Sequence, residues 1–171
     1  MFSGLKRFAL GDRTTIAGTV YGTIIVMSVL AAGAKPYEHQ LWQLLLIPGV
    51  TAIVLWLAHV YSHGLSESVN AGRRLTLAEL SSIGRREYSI VAAAILPLLA
   101  VALGVAGILR PATAVRLGLW IGVAALAAQG IRYARVERLS RPAAILSVGM
   151  NLAIGLALVA LEVWVSHPHA G

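Results

Sequence analysis

A chain of 171 residues that is 58% hydrophobic and only 12% charged, with a mean hydropathy of +0.78, is excluded from being an ordinary water-soluble globule, because soluble domains carry about 25% charged residues. The net charge of +7 does not mark a nucleic-acid binder, since the basic residues sit between apolar blocks rather than on a polar surface. Cysteine is absent, which removes disulfides, thiolate metal sites and cysteine nucleophiles.

A membrane crossing needs roughly 20 mostly apolar residues. Five blocks approach that length: 14–34, 41–62, 88–109, 111–131 and 143–165. Lipid offers no hydrogen bonds to the backbone, so the blocks are expected to be helices. The predicted fold class is all-α, a polytopic membrane helix bundle with five transmembrane helices, forming a single transmembrane domain over residues 1–171. A cytoplasmic connector is expected over 64–87.

Ahead of the first block, Phe2, Leu5 and Phe8 surround Lys6 and Arg7, as in an interfacial segment. Lys6, Arg7 and Arg13 before the block, with Ala32-Gly33-Ala34 after it, also fit a secretory leader. The apolar run is long for a leader, and a retained span is expected. Within it Thr15, Gly18, Thr19, Gly22 and Thr23 fall within about 140° of arc, a small hydroxylated face. Gly18 and Gly22 form a GxxxG, a helix-packing motif.

The second block contains Pro48-Gly49 and ends in His59, His63 and Glu67, whose i, i+4, i+8 spacing stacks them on one face. Imidazole and carboxylate suit a metal ion such as Zn²⁺ or a proton-sensing role. Polar chemistry at a membrane interface is the plainer alternative. No Glu separates the histidines, so the HExxH protease arrangement is missing. In the connector, Thr76-Leu77-Ala78-Glu79 is a capping box. Leu75, Leu77, Leu80 and Ile83 beside Arg73, Arg74, Arg85 and Arg86 predict a short interfacial amphipathic helix. Its arginines would meet anionic lipid head groups.

Pro97 lies midway through the third block, where a proline removes an amide and tends to kink the helix. The fourth block carries Arg116 and a second GxxxG, Gly118 and Gly122. In the fifth, Ser147, Asn151, Gly155 and Glu162 share one face within about 80°. Polar groups are expensive against lipid, so this face should turn inward. Glu162 and Arg116 fall at similar depth and are expected to pair. His167 and His169 flank Pro168 in a tail.

Orientation follows from charge. Lys6, Arg7, Arg13, Arg73, Arg74, Arg85, Arg86, Arg132, Arg135, Arg138 and Arg141 fall on one side of a five-span chain, against Lys35, Arg110 and Arg116 on the other. Lys and Arg concentrate in cytoplasmic segments, which predicts N-in, C-out. Tyr37, Trp42 and Trp164 then mark the outer interface, and Tyr61, Tyr88 and Tyr133 the inner one. Trp56 and Trp120 lie deeper and are expected to be packing residues. The excess of Arg over Lys, with abundant Ala, Gly and Val, points to a high-GC bacterium and hence to the bacterial cell membrane.

Val20-Tyr21-Gly22-Thr23, Leu57-Ala58-His59-Val60-Tyr61 and Leu161-Glu162 resemble segments of a family of small multi-pass membrane proteins of high-GC Gram-positive bacteria. The resemblance implies a membrane domain and carries no activity. The topology is also similar to that of small bacterial relatives of the lysosomal potassium channel. Those follow an arginine of the first helix with Phe-Ser-Asp, whereas Arg13 is followed by Thr14-Thr15-Ile16, so potassium conduction is not inferred. No P-loop, dinucleotide fingerprint or nucleophile elbow is present, and too few acidic groups converge for catalysis. The chain is therefore expected not to be an enzyme, and no cofactor is implied. The leading expectation is a small channel or transporter for an ion or small solute, assembled as a homo-oligomer. Thr15, Thr19, Asn151, Glu162 and Arg116 are its candidate pathway or polar-interior residues. The alternative is a non-catalytic membrane subunit or scaffold that packs against a partner membrane protein, which predicts a dry, apolar interior.

Overall fold

The computed structural model describes residues 13–37 and 39–166. The expectations for Phe2, Leu5, Lys6, Arg7, Phe8, His167 and His169 lie outside the described residues. Six helices, and no strand, make up the described residues: α1 (Arg13–Gly33), α2 (Leu41–Ala71), α3 (Leu77–Glu87), α4 (Ser89–Val105), α5 (Pro111–Val136) and α6 (Arg141–Ser166). Four are long and apolar enough to cross a membrane. The number rises to five if α3 and α4, bent by 42° at their junction, count as one crossing. The described residues are thus all-α, with four or five helices long and apolar enough to cross a membrane.

α1 is central and packs against all five other helices. Val26, Met27 and Leu30 are completely buried in an apolar core with Leu44, Val101, Leu119 and Leu126. α6 packs mainly on α5 and leaves most of its surface outward.

Two differences from the expected boundaries have local causes. α2 does not stop near Ser62 but continues to Ala71, 31 residues in all. That is about 46 Å, longer than the roughly 30 Å hydrocarbon core. Nothing in His63-Gly64-Leu65-Ser66-Glu67 breaks a helix, and termination waits for Gly72, which takes the left-handed conformation at φ 63°. α3 then folds back along this extension. Leu80 and Ile83 rest on Gly64, and Gly84 rests on Trp56 and Val60. The Trp56 indole N–H donates to the Gly84 carbonyl at 2.9 Å, satisfying one of the acceptors left open at the end of α3. α4 is only 17 residues and closes in a left-handed turn at Gly107, earlier than the expected limit at 109. The helices run on through Pro48 and Pro97, both buried. Trp120 is a correction: it is 55% exposed on the outer side of the bundle rather than packed within it.

The capping box forms as the sequence predicts. Thr76 Oγ1 accepts from the Glu79 amide, and the Glu79 carboxylate accepts from the Thr76 amide and from Arg73 at 2.6 Å. The hydrogen bond from Arg73, followed by those from Thr76, lowers the Glu79 pKa from 4.5 to about 2. A carboxylate with a depressed folded pKa contributes stability that is present above its unfolded value and lost as pH falls through the folded one. Amide-exchange protection of α3 should therefore be constant from pH 7 down to about pH 4.5 and weaken towards pH 2 as that contribution is lost. Thr76→Ala should weaken the same protection by about 1 kcal/mol at neutral pH. Hydrogen exchange across 77–87 measures both; unchanged exchange in Thr76→Ala would contradict the cap's role.

α5 ends in a Schellman turn, with Leu139 N–H donating to the Ala134 carbonyl and Arg138 N–H to Arg135. α4 ends the same way, through Ile108 to Leu103 and Gly107 to Gly104. The left-handed residue is glycine in α4 but Arg138 (φ 51°) in α5. There a Cβ makes the conformation cost roughly 1–2 kcal/mol.

Candidate functional site

The two GxxxG faces meet other helices of the same chain. A side chain at Gly18 would strike Ser89 Oγ, and one at Gly22 the backbone carbonyl of Ile90, so α1 touches α4 backbone to backbone. Gly118 faces the Pro97 carbonyl of α4, and Gly122 receives the sulfur of Met27 from α1. On the hydroxylated face of α1 Thr15 and Thr19 are half-buried and Thr23 is buried. Thr19 Oγ1 donates to the Thr15 carbonyl at 2.7 Å and Thr23 Oγ1 to the Thr19 carbonyl at 2.8 Å. Both hydroxyl protons are thus held by carbonyls of their own helix.

The polar stripe of α6 faces α5. Gly130 of α5 lies against the Ser147 carbonyl, Val148 and the Asn151 amide, and Gly155 lies against Val123 and Leu126. Asn151 Nδ2 donates to the Ser147 carbonyl at 2.9 Å. Near the other end of α6, Glu162 is buried and shares a cleft of about 120 Å³ with Arg116 and Lys35. The sequence places Arg116 and Glu162 at one depth, and the fold brings them to one cleft. Among the described residues no ion pair joins the two; Arg116 is exposed at the rim.

The histidine constellation divides. His59 lies between Tyr21 of α1, tilted by 51° at a centroid distance of 5.2 Å, and His63, stacked at 6.4 Å. His59 Nδ1 lies 3.0 Å from the Leu55 carbonyl. A carbonyl only accepts, so Nδ1 carries the proton there. His63 Nε2 lies 3.8 Å from Glu87, whereas Glu67 turns to Arg86 at 3.1 Å. Glu67 therefore does not join the histidines. Among the described residues no three His, Asp or Glu side chains are placed to hold a metal ion.

Gln129 was not singled out by sequence reasoning. It lines a lateral groove of about 600 Å³ between α1, α5 and α6, together with Tyr21, Tyr133 and Asn151. Its buried Oε1, like Ser89 Oγ, has no hydrogen-bond partner among the described residues. An amide in the fourth apolar block was the available signal, since a lone polar group inside a membrane helix asks for a partner. The polar side chains thus sit in helix contacts, in one lateral groove and at the two ends, around an apolar centre. No family model, curated protein or solved structure matches this chain.

Proposed function

We propose that this protein is a non-catalytic, non-conducting membrane subunit that packs laterally against a partner membrane protein. It crosses a bacterial cell membrane five times, N-terminus inside and C-terminus outside, with the 17-residue α4 as the third crossing and α3, bent from it by 42°, at the inner surface. The observation that carries this reading is the closed, apolar centre. Met27 and Leu30 fill the middle of the bundle, and the glycine face of α1 is taken up by contacts inside the chain. Uncovered apolar surface includes the outward side of α6 and that of α2, where Leu46, Val50, Ile53 and Leu57 are each about half exposed, as expected of surfaces offered to lipid or to another membrane helix. The orientation rests on the basic residues of 132–141 and on Arg85 and Arg86, which share the bundle end where Ile16 meets Tyr133 and Glu137.

Transport would require the path to run between copies of the chain, with the Glu162 cleft and His63 at its mouths. Ion flux in liposomes containing folded protein separates the two readings. The subunit reading expects no flux over a panel of ions and pH values, together with site-specific crosslinks from α2 to a second membrane protein in native membranes. Protein-dependent, saturable flux would overturn it. The absence of cysteine makes topology accessible too, because a single Gly72→Cys should label only from the cytoplasmic side.

A further inference from the structure

The α5–α6 hairpin holds an open groove of about 780 Å³ near its turn. Its walls are apolar: Ile131 from α5, and Ile145, Val148 and Leu152 from α6. Ile145 is 73% exposed, so the groove opens sideways, where a membrane would supply acyl chains. Gly149 lines it with open space where a side chain would stand. At its turn end the groove is lined by Arg135 and Arg138 and by no carboxylate. Glu137 points to the opposite groove, beside Tyr133 and Asn151. Arg73 and Arg86 of the α2–α3 hairpin are neutralised by Glu79 and Glu67. Among the described residues Arg135 and Arg138 have no such partner.

The backbone adds a second, independent observation. α4 and α5 end in the same turn, yet only α4 uses glycine at its left-handed position. At α5 a long cationic residue holds a conformation that favours glycine. A side chain kept in an unfavourable backbone setting points to a task for that side chain.

We propose that this groove binds one anionic glycerophospholipid. Arg135 and Arg138 engage its phosphate, and an acyl chain lies along Ile131, Ile145, Val148 and Leu152 over Gly149. Guanidinium suits phosphate because its forked donors match the phosphate oxygens. Basic pockets between membrane helices on the cytoplasmic side take such head groups. An apolar groove with two cations at one end fits a molecule with a tail better than a free phosphate ion.

Two variants test the proposal without threatening the fold. Arg138→Gly removes a cation and relieves the backbone; Gly149→Leu fills the groove at a position with open space. The probe is phosphatidylglycerol, titrated against phosphatidylcholine, with retention on the full-length protein read by native mass spectrometry. The wild type should retain one phosphatidylglycerol in preference to phosphatidylcholine. Arg138→Gly should bind it about fivefold more weakly, and Arg135→Ala with Arg138→Gly about 25-fold more weakly. Gly149→Leu should lose retention of either lipid, and tail-less glycerol phosphate should not compete. Thermal midpoints of Arg138→Gly in detergent should equal or exceed the wild type. Equal binding of the two lipids, wild-type retention by Arg138→Gly, or competition by glycerol phosphate would each overturn the proposal.

Discussion

Gly22→Ala is expected to destabilise the folded monomer by about 1–3 kcal/mol, although alanine is the better helix former. In an open helix position the same change would gain up to about 1 kcal/mol. At Gly22 the added methyl would meet the Ile90 carbonyl and crowd Ile90 Cα at 3.0 Å. Those atoms belong to the backbone of α4, so no rotamer change can yield space. Either the central helix moves away from α4 or its register shifts, and both disturb the packing of Val26, Met27 and Leu30 farther along. Gly149→Ala is the control, because no atom lies within 4 Å of the new methyl. It should be neutral or slightly stabilising. Unfolding midpoints of the two variants in detergent, with mass measured in solution, check the pair. A Gly22→Ala monomer as stable as the wild type, with only its self-association altered, would return the GxxxG to the role of an oligomer contact.

That opposition between chain-internal packing and assembly was not readable from the residues alone. The spacing of Gly18 and Gly22 announces a close helix approach but not the partner, and α4 became the partner only once the chain had folded. The capping box at Thr76 was legible because both of its members lie three residues apart. The end of α2 was less so: composition turns polar at His63, but the helix persists, since apolar periodicity and helix propensity are different signals and Gly72 decides the second. The α6 stripe was read correctly as one face, while its neighbour, the Gly130 side of α5, lies 17 to 25 positions away from Ser147 and Gly155 and leaves no local trace. In the sequence Arg138 is one more basic residue of a cytoplasmic segment. Its left-handed backbone has no sequence signature, because the residue that normally signals such a turn is glycine. Gln129 is hard to read for the opposite reason, as a single amide in an apolar block carries no pattern.

Leu30→Ala should cost about 2 kcal/mol and still pass no ions. Leu30 has no exposed surface, and its Cδ1 lies 3.6 Å from the position a Gly118 side chain would take. Truncation in a water-soluble core costs roughly 2–5 kcal/mol, the sum of a transfer part and a cavity part. Lipid surrounds the unfolded helices as well, so the transfer part shrinks and the lower end applies. The cavity would be walled by apolar side chains, among them Met27 and Leu119, with the Thr23 hydroxyl already committed to the Thr19 carbonyl. A cavity of that lining stays dry, because water entering it finds no partners for its hydrogen bonds. Unfolding midpoints measure the cost, and liposome flux measures the consequence. For a transporter with Leu30 as a constriction, removing three heavy atoms of obstruction would raise flux. For a closed structural bundle the same change weakens the protein and opens nothing, so a destabilised but silent Leu30→Ala distinguishes the packed interior from a gated one.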